Sequence, residues 1–182
     1  MARIAPISEK DLSPSIQVAF ERNIEEYDGR ITNSKATLAH SLLVFEVYMQ
    51  WHLLYKQVEK ILGKRLAYLY AYAISKASDC QLCAAFFRKI IIDAGEKPER
   101  LLVTVSQKEV MDFGSSIAMY HGNINNHVYD AVAERYSKEE MVVLIAFAGQ
   151  MIAANVFNNA IETDIDEYLV NYLPVLKCSP DT

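Results

Sequence analysis

Ser78-Asp79-Cys80-Gln81-Leu82-Cys83-Ala84-Ala85-Phe86-Phe87-Arg88-Lys89-Ile90-Ile91-Ile92-Asp93-Ala94-Gly95 is the stretch on which the fold turns. Ser78-Asp79 interrupts the apolar pattern before it, Asp79 suits an N-cap, and Gly95 is a natural stop. The spacing between them predicts a helix over Cys80–Ala94. Upstream, the pattern predicts a helix over Lys64–Ala77. Before it, a long helical region runs from Ser34 towards Leu62 and stops at Gly63, with His40, Leu43, Val47, Trp51, Leu54 and Val58 as its buried stripe. Ser13-Pro14 opens a first helix that Asp28-Gly29 closes. Downstream, Glu96-Lys97-Pro98 makes a turn, and helices are expected over Lys108–Tyr120, Val128–Tyr136, Ser137–Asn158 and Asp164–Tyr172. Ser137 and Glu140 have capping-box spacing. Strand-like alternation is sustained nowhere. The expectation is an all-α, single-domain bundle of about eight helices over residues 1–182, with 1–12 as an N-terminal extension and 174–182 as a tail.

Composition narrows the function. Hydrophobic residues are 52% and charged residues 23% of the 182, which excludes a disordered chain. Eighteen Lys+Arg against 23 Asp+Glu give a net charge of −5, so there is no basic excess to neutralise phosphates and no nucleic-acid partner is expected. Three cysteines do not make a secreted disulfide framework. Met1–Pro14 has no apolar export signal. Met141–Ile161 carries no formal charge and is long enough to cross a bilayer, but Gln150, Asn155, Asn158 and Asn159 interrupt it. The helical recurrence of Leu144, Ile145, Ala148, Met151, Ile152 and Val156 reads as a buried soluble helix. A cytoplasmic protein without a membrane partner is expected. Eleven Tyr, seven Phe and six Met imply more apolar helix face than one small domain hides, hence a homo-oligomer.

The chemistry centres on Cys80-Gln81-Leu82-Cys83. Residues three apart share a helix face, so the sulfurs can approach one another. Just after Asp79, Cys80 would lie in the first helical turn, where unpaired N–H groups and the helix dipole favour a thiolate. A low-pKa thiol beside a second thiol is what reversible oxidation requires. The competing readings are two small buried hydrophobes, or a zinc site. Zinc would need two more ligands, and His121 and His127 are spaced too widely for the usual pair. His40 and His52 look unrelated to each other, and Trp51 reads as a core or interface anchor. Asn155 and Asn158, three apart in an apolar helix, need partners across helices or in a polar pocket. Cys178 stands alone as a free thiol.

Met1-Ala2-Arg3-Ile4, Leu62-Gly63-Lys64-Arg65-Leu66 and the Cys80–Cys83 pair on an apolar helix ending at Gly95 resemble the carboxymuconolactone decarboxylase superfamily, in its alkylhydroperoxidase D-like branch. The resemblance extends over most of the chain, including Tyr136–Ile161. It implies an all-helical fold assembled as trimers or hexamers. It also implies peroxide reduction by the cysteine pair with an external thiol reductant and no cofactor or metal. In that family Cys83 would attack and Cys80 resolve, whereas the helix-dipole argument favours Cys80. The family pattern, Glu then eleven residues, Cys-x-x-Cys, three residues and His, puts Tyr68 at the Glu position and Phe87 at the His position. Both members of the proton relay are missing. Phe87 accepts no proton and the Tyr68 phenol is a poor base, so weak peroxidase activity is expected. Tyr72, Ser75, His121 and His127 are the candidates to replace the relay. A non-catalytic or redox-sensing oligomer is the alternative, and lactone decarboxylation ranks last.

Overall fold

The second half of the helix Trp51–Ala77 is buried on every side. Leu66 to Ser75 is inaccessible residue after residue, because apolar and small side chains point all round the axis and neighbours cover each face. The computed structural model describes residues 1–27 and 29–174. Among them lie α1 (Pro14–Tyr27), α2 (Asn33–Leu38), α3 (Leu42–Met49), α4 (Trp51–Ala77), α5 (Gln81–Asp93), α6 (Val105–Met119), α7 (Asn126–Ala133) and α8 (Lys138–Ile161). Two 3-10 turns, Glu9–Asp11 and Glu167–Tyr172, complete the described elements, which include no strand. The all-α, eight-helix expectation holds.

The central helix α4 packs against α5, α6 and α8. Tyr70, wholly buried, donates its hydroxyl to the Leu144 carbonyl of α8 at 3.1 Å, so its one polar atom is satisfied inside the core. On α6 a Cβ added at Gly114 would lie 2.5 Å from the Tyr70 ring, so only glycine permits this approach. α8 turns Leu144, Phe147, Ala148 and Met151 into the same core. Long and apolar enough to cross a membrane by length and composition, it packs here against α4 and α6. Ile145 and Val156 of its expected stripe face outwards. The Ser137–Glu140 capping box forms at its start, with Ser137 Oγ accepting from Glu140 N at 3.2 Å and Glu140 Oε2 from Ser137 N at 2.8 Å.

The region expected as one helix from Ser34 is instead α2, α3 and the first half of α4. Thr32, not Ser34, caps α2, and Ser41 caps α3. The break at Ala39–Ser41 resets the helical phase. His40, Leu43 and Val47 are therefore exposed, Trp51 and Leu54 are half-buried, and Phe45 and Met49 face Ile16 and Ala19 of α1. Gly63 interrupts α4 as expected, with φ 76 and ψ 155, but helix resumes at once. Thr104 caps α6 and Asn125 caps α7, both earlier than expected. The last expected helix is the Glu167–Tyr172 turn. The 1–12 extension is tied down, Arg3 N donating to the Ile161 carbonyl at 2.7 Å. Asp28, most of the expected tail and Cys178 lie outside the described residues.

Candidate functional site

The α4–α5 connection is three residues long, and its backbone decides where the sulfurs go. Asp79 is not the cap: it takes the left-handed conformation, φ 51, and hands the capping position to Cys80. Cys80 N donates to the Ser75 carbonyl at 3.1 Å, and Cys80 Sγ accepts from Cys83 N at 3.5 Å. The two cysteines are free thiols. Cys80, 1% exposed, is sealed by Leu82, Ala85 and Leu169, the last from the C-terminal 3-10 turn. Cys83 is half-buried and reaches a cavity. Asn158 of α8 donates its amide to Cys83 Sγ at 3.4 Å, while its own carbonyl oxygen accepts from Thr163 Oγ1 at 2.9 Å. That second bond orients the amide towards sulfur. Asn158 thus belongs to the polar-pocket alternative left open by the sequence. Asn155, fully buried, has no side-chain partner among the described residues.

The two thiols are not equivalent. The Cys83 S–H donates to Cys80, which lowers the Cys80 thiol below its ordinary value, helped by the Cys83 and Leu82 N–H groups and opposed by burial. Cys83 is pushed up by the same bond and by its burial, with the Asn158 amide pulling the other way. Of the two, the hidden sulfur is the more readily ionised, while the other one meets the cavity.

None of the relay candidates makes a side-chain hydrogen bond to either sulfur among the described residues, although Phe87 lines the same cavity as Cys83. Tyr68 donates its hydroxyl to Glu96 Oε1 at 2.9 Å, beside the Arg65–Glu96 ion pair, and burial with that bond raises its phenol. Phe87 is 2% exposed and lies edge-on to Phe86 at 5.1 Å. Ser75 Oγ donates to the Ala71 carbonyl at 2.9 Å, and Tyr72 meets the Arg88 guanidinium. His121 and His127 are exposed on the α6–α7 side. Among the described residues no three His, Cys, Asp or Glu side chains gather as a metal would require.

The cavity that Cys83 meets has a volume of about 390 Å³. About a third of its lining residues are aromatic, among them Tyr27, Trp51, His52, Phe86, Phe157 and Tyr168. His52 stacks on Tyr27 at 3.9 Å between centroids with planes 8° apart, and lies 4.2 Å from Trp51. His52, read from the sequence as unrelated to His40, and Trp51, read as a core or interface anchor, are cavity walls. Burial and the nearby Lys35 and Lys56 charges drive the His52 imidazole down to about 3, so it is neutral. Lys35, also lining the cavity, donates to Asn23 Oδ1 at 2.7 Å, and burial lowers its amine to about 8. Arg30 lies over the Tyr168 ring at 4.2 Å. His52 Nε2, Gln150 Oε1 and Asp166 Oδ2 are buried without a hydrogen-bond partner among the described residues. Sequence reasoning missed Arg30, Lys35, Gln150 and Asp166, which carry no spacing signal because three separate segments converge here.

No family model and no curated protein matches the sequence. Solved structures do. A variant of the debrominase Bmp8 in complex with 2,3,4-tribromopyrrole superposes with a TM-score of 0.75 at 16% identity, covering 93% of this chain and 94% of that one. An alkylhydroperoxidase AhpD core, an uncharacterised peroxidase-related protein from Ralstonia eutropha JMP134, gives 0.66 at 16% identity, covering 91% and 94%. A peroxidase-related protein from Silicibacter sp. TM1040 gives 0.67 at 11% identity with the same coverages. Likeness at such identities establishes architecture, and the chain therefore has the alkylhydroperoxidase D-like fold.

Proposed function

We propose that the protein is a dithiol reductase that passes two electrons from Cys83 and Cys80 to a small molecule held in the cavity. The observation that carries the reading is the division of labour between the sulfurs: one faces the cavity, the other is buried behind it and is the more acidic. With a hydroperoxide, the Cys83 sulfur takes the terminal oxygen, giving a sulfenic acid and an alcohol. Cys80 then attacks that sulfur, water leaves, and a disulfide remains. An external thiol returns both cysteines to the reduced state and is itself oxidised. The Cys83 S–H is held by the Cys80 sulfur, a weaker base than the missing Glu and His pair, so only a small fraction of Cys83 is thiolate. With no stronger base in contact, turnover is slow. A dithiol that must be re-reduced after each turnover suits a reducing compartment, and a cytoplasmic location is part of this proposal.

A second reading is reductive dehalogenation of an aromatic compound, favoured by the aromatic walls and by the likeness to a debrominase. The electron count is the same: a carbon–halogen bond becomes carbon–hydrogen, halide leaves, and the dithiol becomes a disulfide. The test supplies purified protein and excess dithiol with cumene hydroperoxide or, separately, a bromoarene. Consumption of hydroperoxide, abolished by Cys83→Ser, supports the first reading, and bromide release supports the second. Reversible thiol oxidation without turnover of either would make the protein a redox sensor and contradict both.

A further inference from the structure

The Cys83 cavity has more chemistry in it than thiol reduction of a small hydroperoxide uses. From its walls we infer that the ligand it takes is a planar aromatic monoanion, a carboxylate or phenolate, with the acid group at Lys35 and the ring between the aromatic side chains next to Cys83. The inference rests on the dithiol reading for what happens to that ligand, but not for its binding.

Three independent features converge. The first is shape and surface: about 390 Å³ is the size of a small-molecule site, and the Tyr27–His52–Trp51 group lines it together with Phe157 and Tyr168. Flat rings gain from stacking against such faces, which a flexible alkyl chain does not. The second is charge. Lys35 and Arg30 line the cavity, and among the described residues neither forms an ion pair: Lys35 is held by the neutral amide of Asn23, and Arg30 by the Tyr168 ring. Lys89, which also lines it, is paired with Asp93. Among the described residues the one carboxylate in the wall is Asp166, whose Oδ1 accepts from Asn33 N at 2.9 Å and whose Oδ2 has no partner. Counted over the described residues the wall is net positive, and a half-buried ammonium with no carboxylate partner among them gains from an anionic ligand. The third is unmet polarity. His52 Nε2 and Gln150 Oε1 are buried, unpartnered, and in the same wall. Neutral His52 donates to or accepts from a ligand oxygen according to its tautomer, and Gln150 Oε1 accepts a ligand hydroxyl. Buried polar atoms of this kind are normally satisfied, here by the ligand.

Trp51 is the chain's single tryptophan and stands in the cavity wall, so its fluorescence reports occupancy. The experiment titrates the Cys80→Ser/Cys83→Ser double variant, which binds but performs no redox chemistry, with 3,5-dichlorobenzoate, its neutral amide 3,5-dichlorobenzamide, and octanoate. The expected result is saturable Trp51 quenching by the benzoate, at least about tenfold tighter than by either control, as one charge-assisted hydrogen bond implies. Lys35→Met removes the preference for acid over amide, Lys35→Arg keeps it, and Lys108→Met, on an exposed residue paired with Asp112, leaves it unchanged. Amide or octanoate binding as tightly as the benzoate, or a preference surviving in folded Lys35→Met, would overturn the inference. Because wild-type hydroperoxide turnover is measured separately, loss of turnover alone strikes the dithiol reading and leaves the binding result standing.

Discussion

His52 is a neutral imidazole pressed between two aromatic rings, and the arrangement has a pH cost. Its pKa falls from 6.5 to about 3 on folding, chiefly through burial and then through Lys35 and Lys56. Between those values the unfolded chain binds a proton that the folded chain refuses, so stability falls as pH drops through that window. The loss approaches at most about 1.4 kcal/mol per pH unit, less for the part of the ring that stays wet. Wild type should therefore lose more urea resistance between pH 7 and pH 4.5 than His52→Gln does. Equal losses would show that the imidazole is hydrated and not part of the dry wall.

At the scale of the element, α5 depends on a sulfur where helices ordinarily use oxygen. Cys80 Sγ caps Cys83 N, and a thiolate accepts that bond better than a thiol, so the cap and the acidity reinforce each other. Cys80→Ala should cost about 1 kcal/mol, the usual price of a lost N-cap, and should speed hydrogen exchange at the Cys83 amide. Cys80→Ser should keep that amide protected. Unprotected Cys83 in both variants would mean that the bond contributes nothing. Elements of this kind were the readable part of the sequence. Ser137–Glu140, Gly63 and the Cys-x-x-Cys helix are local signals, and each fixed a boundary where it occurs. The Ser34–Leu62 region was not readable, because apolar spacing continues across Ala39–Ser41 while the backbone turns there. Asp79 misled for a related reason: its side chain suits a cap, yet the tight turn forces it to positive φ and moves the cap on by one. The cysteine pair could be read, but Lys35, His52 and Gln150 meet only in the tertiary fold.

Over the whole molecule, α8 sends its uncharged outer face into solvent. Val142, Ile145 and Val156 are exposed there, with Gly149 and Ala153 between them. We propose that a second copy of the chain covers this face, in line with the trimer or hexamer expected from the resemblance. Light scattering behind size exclusion should find an assembly that Val142→Glu with Val156→Glu dissociates. A wild-type monomer at every concentration would contradict it. The account as a whole depends on Cys83 and Cys80 acting as one two-electron unit. The most direct test is the intact mass of reduced protein after one equivalent of cumene hydroperoxide, for wild type and for Cys80→Ser. Wild type is predicted to become lighter by two hydrogens, with the Cys80 and Cys83 peptides linked, and Cys80→Ser to gain one oxygen on Cys83. Unchanged masses, or oxygen accumulating on Cys83 while Cys80 stays reduced, would contradict the central claim.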